Sequence, residues 1–319
     1  MHPLTPLLPE EIKACHSILK SGFPLPTGND YHFKTITLLE PPKSDLLSWN
    51  EGSGSAPQPP RRGYIVYYIR YTDKLYEATV DLSTSKLLSN ARVKSGVHAP
   101  ADGGELEKIE SIVLNDAGVR AEIEKLLLPA GTVVVADPWI YGSDGISDKR
   151  LQFQVFMYVQ PDASHGPDSN HYAAPISVSP VVDVQTLKVV RIDHLPMGVD
   201  FTPTPPKPFS IPPANEYMPE YQKLRGGLKP LHVVQPEGAS FTVTEEAEAR
   251  GSGGATIEWQ KWKLRTGFNA REGMVLYNIQ YDGRDIAYRI ALSDMTIPYA
   301  DPRPPFHRKQ AFDLGDVVR

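Results

Sequence analysis

Val80-Asp81-Leu82-Ser83-Thr84-Ser85-Lys86 and, 102 positions later, Val182-Asp183-Val184-Gln185-Thr186-Leu187-Lys188 are two versions of one string. Each reads as strand, turn, strand: a β-branched run enters, Asp and Ser or Thr occupy the turn, and a second extended run leaves. An internal offset near 100 residues is the size of a small domain, so the repetition points to two tandem units of one design.

Working outward from the first copy, Leu75 to Leu82 alternates with period two, which marks a half-buried strand. Tyr76, Ala78, Val80 and Leu82 share one side, and Glu77, Thr79 and Asp81 the other. Tyr64 to Tyr71 is nearly continuous apolar sequence, and Thr72-Asp73-Lys74 reads as the hairpin joining the two. Tyr31 to Leu39 is a further strand. Pro9 to Lys20 predicts a helix with Ile12, Cys15, Ile18 and Leu19 on one face; Gly22 stops it. Cys15 on that stripe reads as a buried, inert thiol.

The second copy has the same order. Glu105 to Leu128 is predicted helical, with Leu106, Ile109, Ile112 and Val113 on one face. Asn115 or Asp116 caps a second set, Val119, Ile123 and Leu127. Strands follow at Thr132 to Ala136, Leu151 to Val159 and Ile176 to Ile192. The expected fold class is α+β, with a helix laid across an antiparallel sheet in each of two domains, 1–97 and 98–200. A Pro-rich linker is expected over 201–240. From 241 to 319 the pattern is pure β, with strands at Ala255 to Arg265, Gly273 to Tyr281 and Arg284 to Leu292 and a turn at Asp282-Gly283. Three strands fall short of the seven or so in a β-sandwich, so this third domain is expected to be begun and not finished, with uncovered edges and an apolar face.

Composition narrows the function classes. The chain has 319 residues, ordinary globular hydrophobicity and a net charge of −5. Affinity for a phosphate backbone needs clustered Lys and Arg, so no nucleic-acid partner is expected. No apolar run approaches a bilayer span, and Met1-His2-Pro3-Leu4-Thr5-Pro6 lacks the basic start of a secretory signal. No membrane association is therefore expected, and the cytoplasm or peroxisome is the expected compartment. One cysteine rules out an intrachain disulfide. Arg61-Arg62 reads as a solvated loop end, and His165 and His171 as members of a solvated loop.

One stretch resembles a known family. Trp259-Gln260-Lys261-Trp262-Lys263-Leu264-Arg265-Thr266-Gly267-Phe268-Asn269-Ala270-Arg271-Glu272-Gly273 is similar to the opening of the catalytic domain of copper-containing, topaquinone-dependent primary amine oxidases. The run Tyr277 to Met295, then Pro298-Tyr299-Ala300-Asp301-Pro302-Arg303, Arg308-Lys309 and Ala311-Phe312-Asp313-Leu314-Gly315-Asp316 continue the likeness. The start, His2-Pro3-Leu4 through Ile12, resembles the start of the family. The resemblance implies two cystatin-like α+β domains ahead of a β-sandwich, a homodimer, and oxidation of primary amines to aldehydes with release of ammonia and hydrogen peroxide. It also implies two site residues. Asp313 would be the carboxylate that takes a proton from the amine-bearing carbon. Tyr299, fourteen positions earlier, would hydrogen-bond the quinone oxygen.

The family also holds copper on histidines that include a His-x-His pair, and makes its quinone from a tyrosine in Asn-Tyr-Asp/Glu-Tyr. None of the nine histidines here are spaced as His-x-His, and Asn29-Asp30-Tyr31, Asn170-His171-Tyr172 and Asn215-Glu216-Tyr217 are not the precursor motif. Neither copper nor topaquinone is therefore expected on this chain, which reads as the truncated N-terminal part of such an enzyme, inactive alone. A non-catalytic binding or assembly module that keeps only the accessory domains is the second expectation.

Overall fold

The computed structural model describes residues 1–49, 56–142, 150–196, 209–223, 225–292, 295–298 and 301–313. Its first elements are α1 (Pro9–Gly22), β1 (Tyr31–Leu39), α2 (Lys43–Ser48), β2 (Arg62–Ile69), β3 (Leu75–Asp81) and β4 (Lys86–Arg92). The four strands form an antiparallel meander in chain order, and α1 lies across it. Pro9 opens α1, and the Glu11 carboxylate accepts from the Leu8 amide at 2.8 Å, which closes the first turn. Cys15 and Leu19 are the buried residues of the helix, facing Ile65, Tyr67, Ala78 and Val80. A Cβ on Gly63 would sit 2.3 Å from the Cys15 sulfur, so only glycine lets α1 approach β2 here. Burial pushes the Cys15 thiol up to about 11, which leaves it protonated and unreactive. Arg61 is not a solvated loop end. Its guanidinium pairs with Glu11 and donates to the carbonyls of Thr5 at 2.9 Å and Pro6 at 2.8 Å.

The second set is α3 (Gly103–Asn115), α4 (Ala117–Glu124), β5 (Val134–Ile140), β6 (Gln152–Val159), β7 (Val178–Asp183) and β8 (Lys188–His194), again an antiparallel meander in chain order. The helix expected over 105–128 is broken in two because Asp116 turns inward as a cap. Its Oδ1 accepts from the Val119 amide at 3.0 Å, while Asp102 and Glu105 form a reciprocal box at the start of α3. Ile109, Val113 and Val119 are the buried residues of these helices, and in the sheet Phe153, Val155 and Val182 are buried on one face.

The repeated string makes the same turn twice. Asp81 Oδ1 accepts from Ser83 Oγ at 2.6 Å and the Thr84 amide at 2.9 Å. Asp183 Oδ1 accepts from the amides of Gln185 at 3.1 Å and Thr186 at 2.9 Å. Ser85 and Leu187 both take φ 53 to close the hairpin, and both hairpins carry a register shift just before their Asp.

The remaining strands are β9 (Phe241–Glu245), β10 (Ala255–Trp259), β11 (Trp262–Asn269), β12 (Gly273–Tyr281) and β13 (Arg284–Ala291), followed by β14 (Met295–Pro298) and β15 (Gln310–Asp313). β9 to β13 form one five-stranded antiparallel sheet. The single strand expected from Ala255 to Arg265 is a hairpin: Gln260 takes φ 55, and Trp259 faces Trp262 across the turn. Gln260-Lys261 carries neither Gly, Asn nor Asp, so nothing local marks the reversal. Helices on antiparallel sheets followed by a sheet alone make the architecture α+β. Phe268, Met274 and Ile290 stand more than half exposed on that last sheet.

Contacts gather the chain into two compact units. One joins Met1–Pro100 to Gln235–Met295; the other joins Ala101–Val234 to Thr296–Ala311, after which the chain passes back to the first. In the first unit the N-terminal segment and the five-stranded sheet share a core of Leu4, Val275 and Tyr277, with Leu46 and Ala291 against it. Glu40 accepts from Tyr277 Oη at 2.7 Å and from Arg289 at 2.9 and 3.0 Å, and Arg289 also grips Glu272. Glu246 accepts from the His2 amide at 2.9 Å and from Thr5 Oγ1, and pairs with Arg265.

Replacing Glu40 with Ala strands the Tyr277 hydroxyl and half of the Arg289 fork. Denaturant unfolding is expected to show a loss of about 1–3 kcal/mol; an unchanged midpoint would contradict the tie. Burial, reinforced by Arg265, pulls His2 down to about 4. Between that value and the free-imidazole range near 6.5 the unfolded chain holds a proton that the folded chain refuses. Thermal stability of this unit is therefore expected to fall as pH drops from 7 toward 4, and His2→Gln should flatten that slope.

Candidate functional site

Of the two site residues named by resemblance, one is described. Tyr299 falls outside the described residues. Asp313 is the last residue of β15, which pairs with β14 in a two-stranded sheet.

The approach to β15 is built in detail within the second unit. Arg303 folds back on Asp301 through paired bonds of 2.9 and 2.6 Å, which hold the Asp301 carboxyl below the usual carboxylate range. Phe306 stacks on Phe156 of β6, rings 5.8 Å apart and nearly parallel. Arg308 exchanges two bonds with Gly142: its carbonyl accepts from the Gly142 amide at 2.8 Å, and its guanidinium donates to the Gly142 carbonyl at 2.7 Å. Lys309 bridges Tyr141 in antiparallel register, and its ammonium sits 4.1 Å from the ring centre of Trp139 and 4.8 Å from that of Phe156. Burial lowers the Lys309 ammonium from its ordinary value, with Asp137 acting the other way.

Among the described residues no three histidines converge within ligand distance. Several imidazoles are engaged in packing or hydrogen bonds. His2 packs edge-on against Trp49, His16 against Phe33, and His194 faces Glu122 at 3.2 Å. These side chains do not fit a copper centre of several imidazoles.

The loop holding His165 and His171 is not a solvated loop. His165 Nδ1 meets Glu216 Oε1 at 2.8 Å, and its ring stacks on Tyr221 with centroids 3.9 Å apart. The Glu216 carboxylate is buried and also accepts from Ser169 Oγ at 3.0 Å and the Asn170 amide at 2.6 Å. These bonds hold its pKa below the ordinary carboxylate range. His171 lies against Tyr158 and Tyr172. The Pro-rich segment is thus tied to the loop by one acid rather than running free.

Comparison with known proteins places these features. Three family models match in succession: "Copper amine oxidase, N2 domain" over residues 2–93, "Copper amine oxidase, N3 domain" over 104–201, and "Copper amine oxidase, enzyme domain" over 252–318. The chain belongs to the copper amine oxidase family. Copper amine oxidase 1 of Aspergillus niger is 35% identical over 99% of this chain and 48% of its own length. The peroxisomal primary amine oxidase of Pichia angusta is 32% identical over 96% of the chain and 42% of its own length. Among solved structures, a copper-containing benzylamine oxidase from Hansenula polymorpha superposes with a TM-score of 0.87 at 38% identity, covering 99% of this chain and 48% of that one. The chain therefore spans about half the length of the relatives it matches. No helix among the described residues is long and apolar enough to cross a membrane.

Reading the sequence of this amine oxidase family member does not find Glu216, Glu40 or the Lys309 contacts. Each joins residues far apart in the chain, and no periodicity or spacing encodes such a pairing. Glu216→Ala is expected to free residues 209–223, seen as faster limited proteolysis there with β6 and β7 still protected. Because the folded Glu216 carboxyl titrates below its ordinary range, the tie is at full strength above that range and the same release is expected as pH falls below it through the lowered folded value. Equal cleavage rates in variant and parent would refute the tie.

Proposed function

We propose that this chain serves a copper- and topaquinone-dependent primary amine oxidase, which converts a primary amine, O2 and water to an aldehyde, ammonia and hydrogen peroxide. In this reading Asp313 is the base that takes the proton from the amine-bearing carbon, and Tyr299 orients the quinone oxygen. The single observation that carries it is the run of three family matches in order, ending on the enzyme domain over the residues that contain both. A carboxylate suits the task because burial raises its pKa while a neighbouring positive charge lowers it, so it can be matched to a carbon acid.

The histidines of these 319 residues do not fit the copper site, so the metal and the quinone are held by residues outside this sequence. The chain by itself is then without oxidase activity. As an intact oxidase it would work as a homodimer on primary amines, in an intracellular compartment. The peroxisomal names of relatives from Pichia angusta and Nicotiana tabacum favour the peroxisome.

A peroxide-coupled assay of the isolated, copper-supplemented chain with methylamine and benzylamine is expected to show no turnover; any rate above blank overturns the proposal of an inactive segment. In a copper-loaded oxidase carrying this segment, Asp313→Asn is expected to lower kcat by about 10²–10⁴. Full activity of that variant would remove Asp313 from the role.

A further inference from the structure

From residue 225 to 234 the chain makes no strand and no helix, and every residue is exposed. Among the described residues it exchanges no hydrogen bond with any part of the fold outside it. Its composition is nonetheless that of a contact surface. Leu228, Leu231, Val233 and Val234 stand in water at 73%, 91%, 89% and 72% exposure. Scattered apolar side chains on a surface need no explanation, but four within seven residues do. A plain spacer is built of Gly, Ser, Pro and charge and gains nothing from Leu and Val. Pro230 fixes its own φ and biases Lys229 toward extended backbone, which keeps this ribbon from coiling into a helix.

The charge on the ribbon is one-sided. Lys223, Arg225 and Lys229 lie between Glu220 and Glu237 with no acid among them, in a chain whose net charge is −5. Among the described residues none of these three cations has an ion-pair partner.

We propose that residues 225–234 are an arm that lies on a second copy of this chain. The proposal deepens the homodimer reading above by naming a segment that makes the contact. Charge supports this occupant: the ribbon is cationic, and the rest of a second copy is a net anion, so the two attract. Two ribbons laid on each other would set cation against cation, so the arm rests on the body of its partner. Area supports the same occupant. Burying a Leu or Val side chain removes roughly 60–120 Å² from water, so one arm covers roughly 250–500 Å². In a two-fold dimer each copy gives one arm and receives the other, so the contact counts twice. The apolar part alone then comes to roughly 500–1,000 Å² per partner, against about 800 Å² in a specific interface of standard size. The apolar side chains supply the affinity, and the cations set the orientation and the rate of encounter.

The test uses the 319-residue chain, because the substituted residues stand in water and leave no core depleted. Sedimentation equilibrium is expected to show a dimer that dissociates more readily as salt is raised. Leu231→Asp combined with Val233→Asp is expected to weaken it by tenfold or more, with circular dichroism and thermal midpoint as in the parent. Lys229→Glu is expected to weaken it and to reduce its salt dependence. A photoreactive benzophenone side chain placed at position 231 is expected to cross-link one chain to another. A parent chain that sediments as a monomer overturns the arm. Cross-links confined to a single chain overturn it too, because the ribbon then lies on its own body. A dimer that persists unchanged in the double Asp variant removes the arm while the homodimer stands. Sedimentation of an intact copper-loaded oxidase carrying the segment decides the homodimer separately: a monomer there sinks that reading, whatever the shorter chain does.

Discussion

The Glu40 carboxylate, gripped by Tyr277 and Arg289 from strands more than two hundred residues later, makes one folding unit of the two ends of this chain. The same service is repeated nearby by Glu246, which holds the His2 amide and Arg265. Both acids are partly withdrawn from water, where a charge-assisted bond is strong and a stranded partner is costly. The five-stranded sheet, which has no helix of its own, obtains its packing partner from residues 1–49 through Leu4 and Leu46. A sheet that leaves Phe268 and Met274 in solvent needs such a partner to be ordered at all.

The two α+β domains solve a different problem, and solve it twice. In each, a meander of four strands is closed by an aspartate that satisfies the backbone of its own hairpin, and a capped helix covers the inner face. The second copy is elaborated. Its helix is split at Asp116, and its β6–β7 connection is built into an ordered loop around Glu216. That loop ties down the Pro-rich segment, while the far end of the same sheet receives Phe306, Arg308 and Lys309.

Local chemistry accounts for what was legible beforehand. Period-two alternation from Leu75 to Asp81, the helical stripe of Cys15 and Leu19, and the Asp-Gly turn after Tyr281 are each decided within a few residues, and each stands in the structure. The failures share a cause. Gln260-Lys261 turns within the β10–β11 ladder, whose last pair is Trp259–Trp262, and not because its own residues favour a turn. Arg61 and His165 looked solvated because their partners, Glu11 and Glu216, are fifty residues away in the chain.

Sequence by itself determined the class and the lineage: the α+β repeat, the order of strands and the kinship with copper amine oxidases. These depend on short-range pattern and on residue identity, both written along the chain. Tertiary structure alone decided which charges meet. Glu40 with Arg289, Glu216 with His165 and Lys309 with Trp139 are pairings across long loops, and their strength comes from burial and geometry that exist only after the chain has folded.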